Sequence, residues 1–330
     1  MENHKHRELL KEVLTGNDWR FSTSQPNFLE WHVRSAEESQ AQTNEVFTEK
    51  WSSYNSSEEK ERLYDMQRRW YLDLYGFPNE QELAAFLRTK NTIFDAGCGL
   101  GYKAAWFAEL APESLIVAMD FSEAAELAAK SYVNLKNLVF LKGDIAETKF
   151  RDGSIDYVSC DQVIMHTEDP DATLTELARI TNREDGQLAC YFYRKKALPR
   201  ELLDDYFRIK CTKMSNEELW QMSRQLTELG KTLSELDCKV TVPDIPALDI
   251  RGGEYDLQRF LYWNFLKCFY SAELGNETSV ATNFDWYSPS NARRFSEEEV
   301  KGLVKDRNLE IEFFHVEEAA FSGRFSWKSL

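Results

Sequence analysis

The stretch TIFDAGCGLGYKAAWFAEL, residues 92–110, places an acid, Asp95, and three glycines, Gly97, Gly99 and Gly101, between an apolar run and a helical one. Glycine has no Cβ, so a strand that passes through such a turn into a helix can bring backbone amides and carbonyls against a small ligand. Two cofactor classes use a strand, a glycine turn and a helix. The dinucleotide fingerprint is G-x-G-x-x-G, which sets a pyrophosphate on the helix N-terminus. Here the third glycine comes one residue early, and Tyr102 stands where that fingerprint has glycine. A nicotinamide dinucleotide is therefore the weaker of the two readings.

The elements that must carry this turn follow from the pattern around it. Residues 91–196 alternate short apolar runs (TIFDAG, LIVAMD, LVFLKGD, IDYVSCD, QLACYFY) with helical stretches such as SEAAELAAKSYVN and DATLTELARI. That alternation predicts an α/β fold with a doubly wound parallel sheet, helices on both faces, and ligands beyond the carboxyl ends of the strands. Residues 1–90 read as a polar, helical extension. In it, Ser56 and Glu59 stand at capping-box spacing, Leu63, Met66, Trp70 and Leu74 form a helical stripe, and Gly76 and Pro78 end the helix. In residues 197–289 the alternation breaks into a mainly helical insertion, expected to act as a lid and substrate region. Its helices, one led by Ser215 and Glu218 and one over YDLQRFLYWNFLKCFY, surround VTVPDIPALDIRGG, which is expected to be irregular. Residues 290–330 return to the sheet with a capped helix, SEEEVKGLVKDR, and an antiparallel pair, LEIEFFHVEE with AAFSGRFSW.

Composition narrows the function classes. With 42% hydrophobic residues among 330, the chain can bury a sizeable core. Its 56 acids against 40 Lys and Arg give a formal charge of -16, which argues against nucleic acid as a partner. The N-terminal MENHKHRELLKE has no signal-peptide core and no run is long enough to span a bilayer, so a cytoplasmic protein is expected. Six scattered cysteines without a C-x-x-C pair predict reduced thiols and no metal site.

The order of these motifs resembles the class I S-adenosylmethionine (SAM)-dependent methyltransferases, most closely the type 11 group. Their first motif, an acid followed by G-x-G-x-G, stands here as Asp95-Ala96-Gly97-Cys98-Gly99-Leu100-Gly101. VAMDFS ends the second strand with Asp120 and Phe121, LKGDIAE follows the third with Asp144 and Ile145, and Asp152-Gly153-Ser154-Ile155-Asp156-Tyr157-Val158 matches the fourth-strand pattern. The resemblance covers residues 92–195 and, more loosely, 291–324. It implies a seven-stranded Rossmann-like sheet and SAM as the cofactor. It further implies that Asp120 accepts hydrogen bonds from the ribose hydroxyls with Phe121 against the adenine. Asp144 and Ile145 would meet the adenine, and the backbone around Asp95, Ala96, Gly97, Gly99 and Gly101 the methionine part. Asp95 can act through backbone, through water or on the ammonium, and Asp161 and Gln162 would touch the cofactor or shape its site.

A sulfonium methyl is already electrophilic, so such a protein mainly holds a nucleophile in line and keeps water away. A hydroxyl or ammonium acceptor also needs a proton taken from it. His166 in DQVIMHTEDP, the second of a His-His pair that many relatives carry, is the residue for that, with a purely structural bond to its own loop as the alternative. Tyr287, in the polar loop NFDWYSPSNARR, and Arg259 are the expected substrate contacts. The expected reaction is methyl transfer to an oxygen or nitrogen of a small or medium-sized metabolite; a SAM-binding module without catalysis is the alternative. A homodimer through the first helices stays open.

Overall fold

A computed structural model describes residues 4–16, 19–30, 37–54 and 59–328. The chain forms two compact units, a sheet unit of residues 1–37, 66–193 and 293–330, and a helical unit of residues 38–65 and 194–292. Ser56 of the expected capping box lies outside the described residues.

In chain order the strands are β1 (Arg20–Phe21), β2 (Phe28–Glu30), β3 (Thr92–Ala96), β4 (Leu115–Asp120), β5 (Leu138–Lys142) and β6 (Tyr157–Cys160). There follow β7 (Gln187–Tyr193), β8 (Lys239–Val242), β9 (Gly253–Asp256), β10 (Leu309–Val316) and β11 (Ala320–Trp327). All but β8 and β9 join one nine-stranded sheet in the order β1-β2-β5-β4-β3-β6-β7-β11-β10. The pairs from β2 to β7 are parallel, whereas β11 runs antiparallel to both β7 and β10. This is the expected doubly wound sheet, with two strands more than the seven anticipated. The extra pair comes from a segment read as helical. β1 and β2 are two and three residues long, too short for a period, and their strand state comes from docking: Phe28 pairs with Phe140, and the Phe140 amide donates to Asn27 O.

Burial explains the central strands. Every residue of β3, and all but the last of β4 and β5, is buried, as continuous apolar strands covered on both faces must be. Helices Tyr102–Leu110, Ala124–Ser131, Pro170–Ile180 and Glu297–Asp306 belong to this unit. Ser296 and Glu299 form the capping box that opens the last of these. The helix Lys60–Tyr75 ends as expected at Gly76, whose φ of +68° lets the Phe77 amide reach back to Leu72 O. The order in which strands are added reverses about β3, with β4 and β5 on one side and β6 and β7 on the other, so the ligand crevice belongs at the carboxyl ends of these strands.

The helical unit departs from expectation in three places. VTVPDIPALDIRGG is not wholly irregular: Val240–Val242 lie in β8, paired with β9, and Asp244 Oδ1 accepts from the Gly252 amide to close the connection. The run YDLQRFLYWNFLKCFY is helical only over Leu257–Asn264; Tyr255 and Asp256 before it close β9, and residues 266–270 after it have no regular secondary structure. Asn283 to Tyr287, read as the start of a loop, close the helix Asn276–Tyr287 instead, with Phe284, Trp286 and Tyr287 all buried. Aromatic packing, invisible to local pattern, decides that helix. The Ser215–Glu218 capping box opens Asn216–Glu235 as anticipated.

Candidate active site

The glycine turn leaves β3 with three positive φ angles: +81° at Gly97, +51° at Gly99 and +77° at Gly101. Packing requires two of these glycines independently of any ligand. A Cβ at Gly97 would lie 2.4 Å from both Val163 methyls, and one at Gly101 would lie 2.7 Å from the Phe140 ring. The turn's amides are engaged within the protein. Gly97 and Cys98 donate to Met119 O (2.8 and 2.9 Å), Gly101 to Cys98 O (2.8 Å), and Gly99 to Asp120 Oδ2 (2.8 Å).

Asp120 closes β4, and its other oxygen accepts from the Ser122 amide and hydroxyl (2.9 and 2.6 Å). Burial pushes its pKa up, against the lowering effect of these hydrogen bonds and that from Gly99. Asp120 thus clamps the glycine turn while keeping part of its surface exposed, as does Phe121 beside it. The β4–β5 register sets Asp120 opposite Lys142, so Asp144 stands two residues further along the neighbouring strand end, with Ile145 buried next to it. Asp144 Oδ1 also accepts from the Ala146 amide at 2.8 Å.

Beneath the turn lies a polar group that sequence reasoning missed. Lys103, in the first turn of the helix Tyr102–Leu110, sends its ammonium 3.1 Å from Asp95 Oδ1 and 3.4 Å from Asp161 Oδ2. All three side chains are at most 5% exposed. Burial works against the ammonium, yet the two carboxylates together hold its pKa above the ordinary lysine value. The Tyr75 hydroxyl donates to Asp161 Oδ1 at 2.9 Å, and the Tyr71 hydroxyl joins those of Tyr157 (2.7 Å) and Ser159 (3.0 Å). Asp95 is thus part of the buried framework, paired with Lys103. A lysine one residue into the largely apolar YKAAWFAEL was the available signal; nothing in the sequence links Tyr75 to Asp161.

After β6 the chain turns at Gln162, whose φ of +62° is rare for a residue with a side chain. This turn delivers Val163 against Gly97 and leads into a 3-10 turn, Ile164–His166. His166 is buried, its amide donates to Val163 O (2.8 Å), and its ring meets the Tyr193 ring edge-on at 5.4 Å. Asp169 caps the next helix, with Pro170 as its first residue. Asp156 lies at the other end of the sheet, where Oδ2 accepts from the Asn91 and Thr92 amides.

The two expected substrate contacts belong to the helical unit. Tyr287 is buried, donates to Asp204 Oδ1 (2.8 Å) and accepts from the Lys267 amide (3.2 Å). Arg259 is exposed, its guanidinium 5.7 Å from the Tyr262 ring.

Comparison with known proteins agrees with the reading of the sheet unit. A family model described as "Methyltransferase domain" matches residues 94–190. An uncharacterized methyltransferase of Schizosaccharomyces pombe is 32% identical over 114 residues, 32% of this chain and 41% of that protein. An uncharacterized chloroplastic methyltransferase of Arabidopsis thaliana is 32% identical over 131 residues, 36% of this chain and 37% of that protein. The chain thus covers about two fifths of the length of either relative. Among solved structures, the Synechocystis magnesium protoporphyrin IX methyltransferase with bound SAM aligns over 90% of this chain and all of its own, at 12% identity and a TM-score of 0.47. Among the described residues no helix is long and apolar enough to cross a membrane.

Proposed function

We propose that the class I methyltransferase domain carried by this chain binds S-adenosylmethionine at the carboxyl ends of β3 to β6 and transfers its methyl group to an oxygen or nitrogen of a small or medium-sized metabolite. The observation that carries this reading is the engagement of the glycine turn. With the amides of Gly97, Cys98, Gly99 and Gly101 spent on protein acceptors, the turn is poorly suited to a pyrophosphate, which needs free N–H donors. Carboxylates at the ends of β4 and β5 suit a ligand rich in hydroxyl and amino donors instead.

When bound, the cofactor supplies an electrophilic methyl on a positively charged sulfur. Asp120 has lone pairs left after Gly99 and Ser122 to accept from ribose hydroxyls, and Phe121 offers an apolar face beside it. Asp144 and Ile145 present an acceptor and an apolar contact to the adenine. Asp161, fixed by Lys103 and Tyr75, sets negative charge at the end of β6, where it favours an ammonium. The burial of His166 beside Tyr193 would keep water from an imidazole nitrogen that takes the acceptor's proton.

A search for turnover tests this. Incubation with methyl-labelled SAM and fractionated metabolites should yield a labelled product by mass spectrometry, and His166→Asn should slow its formation by about 10²- to 10⁴-fold. A His166→Asn protein as fast as the wild type would remove His166 from the chemistry, and no labelled product from any fraction would favour a binding module.

A further inference from the structure

The interior of the helical unit holds a lysine that, among the described residues, no carboxylate pairs with directly. Lys267 is 5% exposed, and among the described residues its ammonium has no hydrogen bond and no carboxylate within ion-pair reach; it lies 4.3 Å from the centre of the Trp286 ring. Both nearby carboxylates are committed elsewhere. Asp204 accepts from Arg200 Nε, Trp286 Nε1 and the Tyr287 hydroxyl, each at 2.8 Å. Asp285 pairs with Lys50 at 2.7 Å. The other charged groups acting on Lys267 are cations, and Glu201 stands beside one of them, Lys196. Arg200, 1% exposed and hydrogen-bonded to Tyr262 O, lies 5.2 Å from the Trp286 ring, and Lys50 and Lys196 both act on Lys267 or are acted on by it. Lys196 donates to Arg194 O (2.8 Å), sits 5.2 Å from the Trp263 ring, and like that ring is only partly buried, so the cluster reaches the surface there.

A largely buried ammonium without a directly paired counter-ion is unfavourable. A ring face offsets part of that cost and leaves the three N–H donors unused. We propose that Lys267, with Arg200 and Lys196 around it, forms an oxyanion subsite of the helical unit, which takes the carboxylate or phosphate of a ligand beside the Trp263 and Trp286 rings. That the oxyanion belongs to the methyl acceptor rests on the methyl-transfer reading; the subsite itself does not.

Burial pushes the Lys267 amine down to about 7, with Asp285 and Asp204 acting upward and Arg200 and Lys50 downward. An anion seated on it favours the charged form, so binding at roughly pH 8 must draw in a proton. The test is calorimetry of the full chain with sodium benzoate and with sodium phosphate, at matched ionic strength, in two buffers of different ionisation heat. Saturable binding with proton uptake is expected, weakened about tenfold or more and stripped of its proton uptake in Lys267→Met, the loss of a charge-assisted contact. Benzoate alone would identify a carboxylate ligand and phosphate alone a phosphate. Absence of saturable binding of both probes, or unchanged binding in Lys267→Met, overturns the proposal. So does a Lys267→Met protein that melts well below the wild type, because that would mean the fold itself uses the ammonium. S-adenosylhomocysteine titrated into the same samples reports on the methyltransferase reading separately.

Discussion

Two buried lysines, one in each unit, show opposite uses of charge. Lys103 lies between Asp95 and Asp161, both within ion-pair distance, and its pKa is held above the ordinary value. Lys267 is as deeply buried, faces carboxylates that are already occupied, and is pushed down to about 7. The difference separates framework from site. A charge compensated within the fold orients other groups, whereas one left uncompensated awaits something from outside.

The largest expected effect breaks this comparison at Lys103. Lys103→Met leaves Asp95 and Asp161 buried without their cation and should cost about 3–5 kcal/mol in urea unfolding. A loss under 1 kcal/mol would mean that water already reaches the pair.

Next is the glycine turn that Lys103 underlies. Gly97→Ala places a methyl 2.4 Å from Val163 at a φ of +81°, and overpacking should remove about 1–3 kcal/mol before any ligand is added. The same denaturation experiment, run without ligand, separates this cost from lost cofactor contact.

The last effect has the opposite sign. The Lys267 pKa is about 7 in the folded protein and about 10.4 in the unfolded chain, so between these values the unfolded state binds more protons and stability rises with pH. Lys267→Met lacks this dependence. Its melting temperature should exceed the wild type's most below pH 7, and the gap should narrow as pH rises toward 10. A gap that widens with pH would place an undetected acid beside the amine.

What was legible in the sequence follows the same division. β3 to β7 announced themselves as apolar runs because each is buried on both faces, and Asp120 and Asp144 were visible because strand ends are fixed points in such a sheet. The Lys103–Asp95–Asp161–Tyr75 group was not, since it brings Tyr75 and Asp161 from distant parts of the chain to the pair beside the glycine turn, and only a lysine in a largely apolar helix hinted at it. In the helical unit, Tyr287 was singled out from a stretch misread as a loop. Its place beneath Lys267 depends on Asp204, more than eighty residues upstream, which no local pattern connects to it.

The central claim is that the ends of β3 to β6 hold S-adenosylmethionine, and calorimetry with S-adenosylhomocysteine and NADH on wild type, Asp120→Ala and Asp144→Ala tests it most directly. The account predicts saturable S-adenosylhomocysteine binding that both substitutions weaken. Absence of that binding alongside clear binding of NADH would contradict it and return the glycine turn to the dinucleotide class.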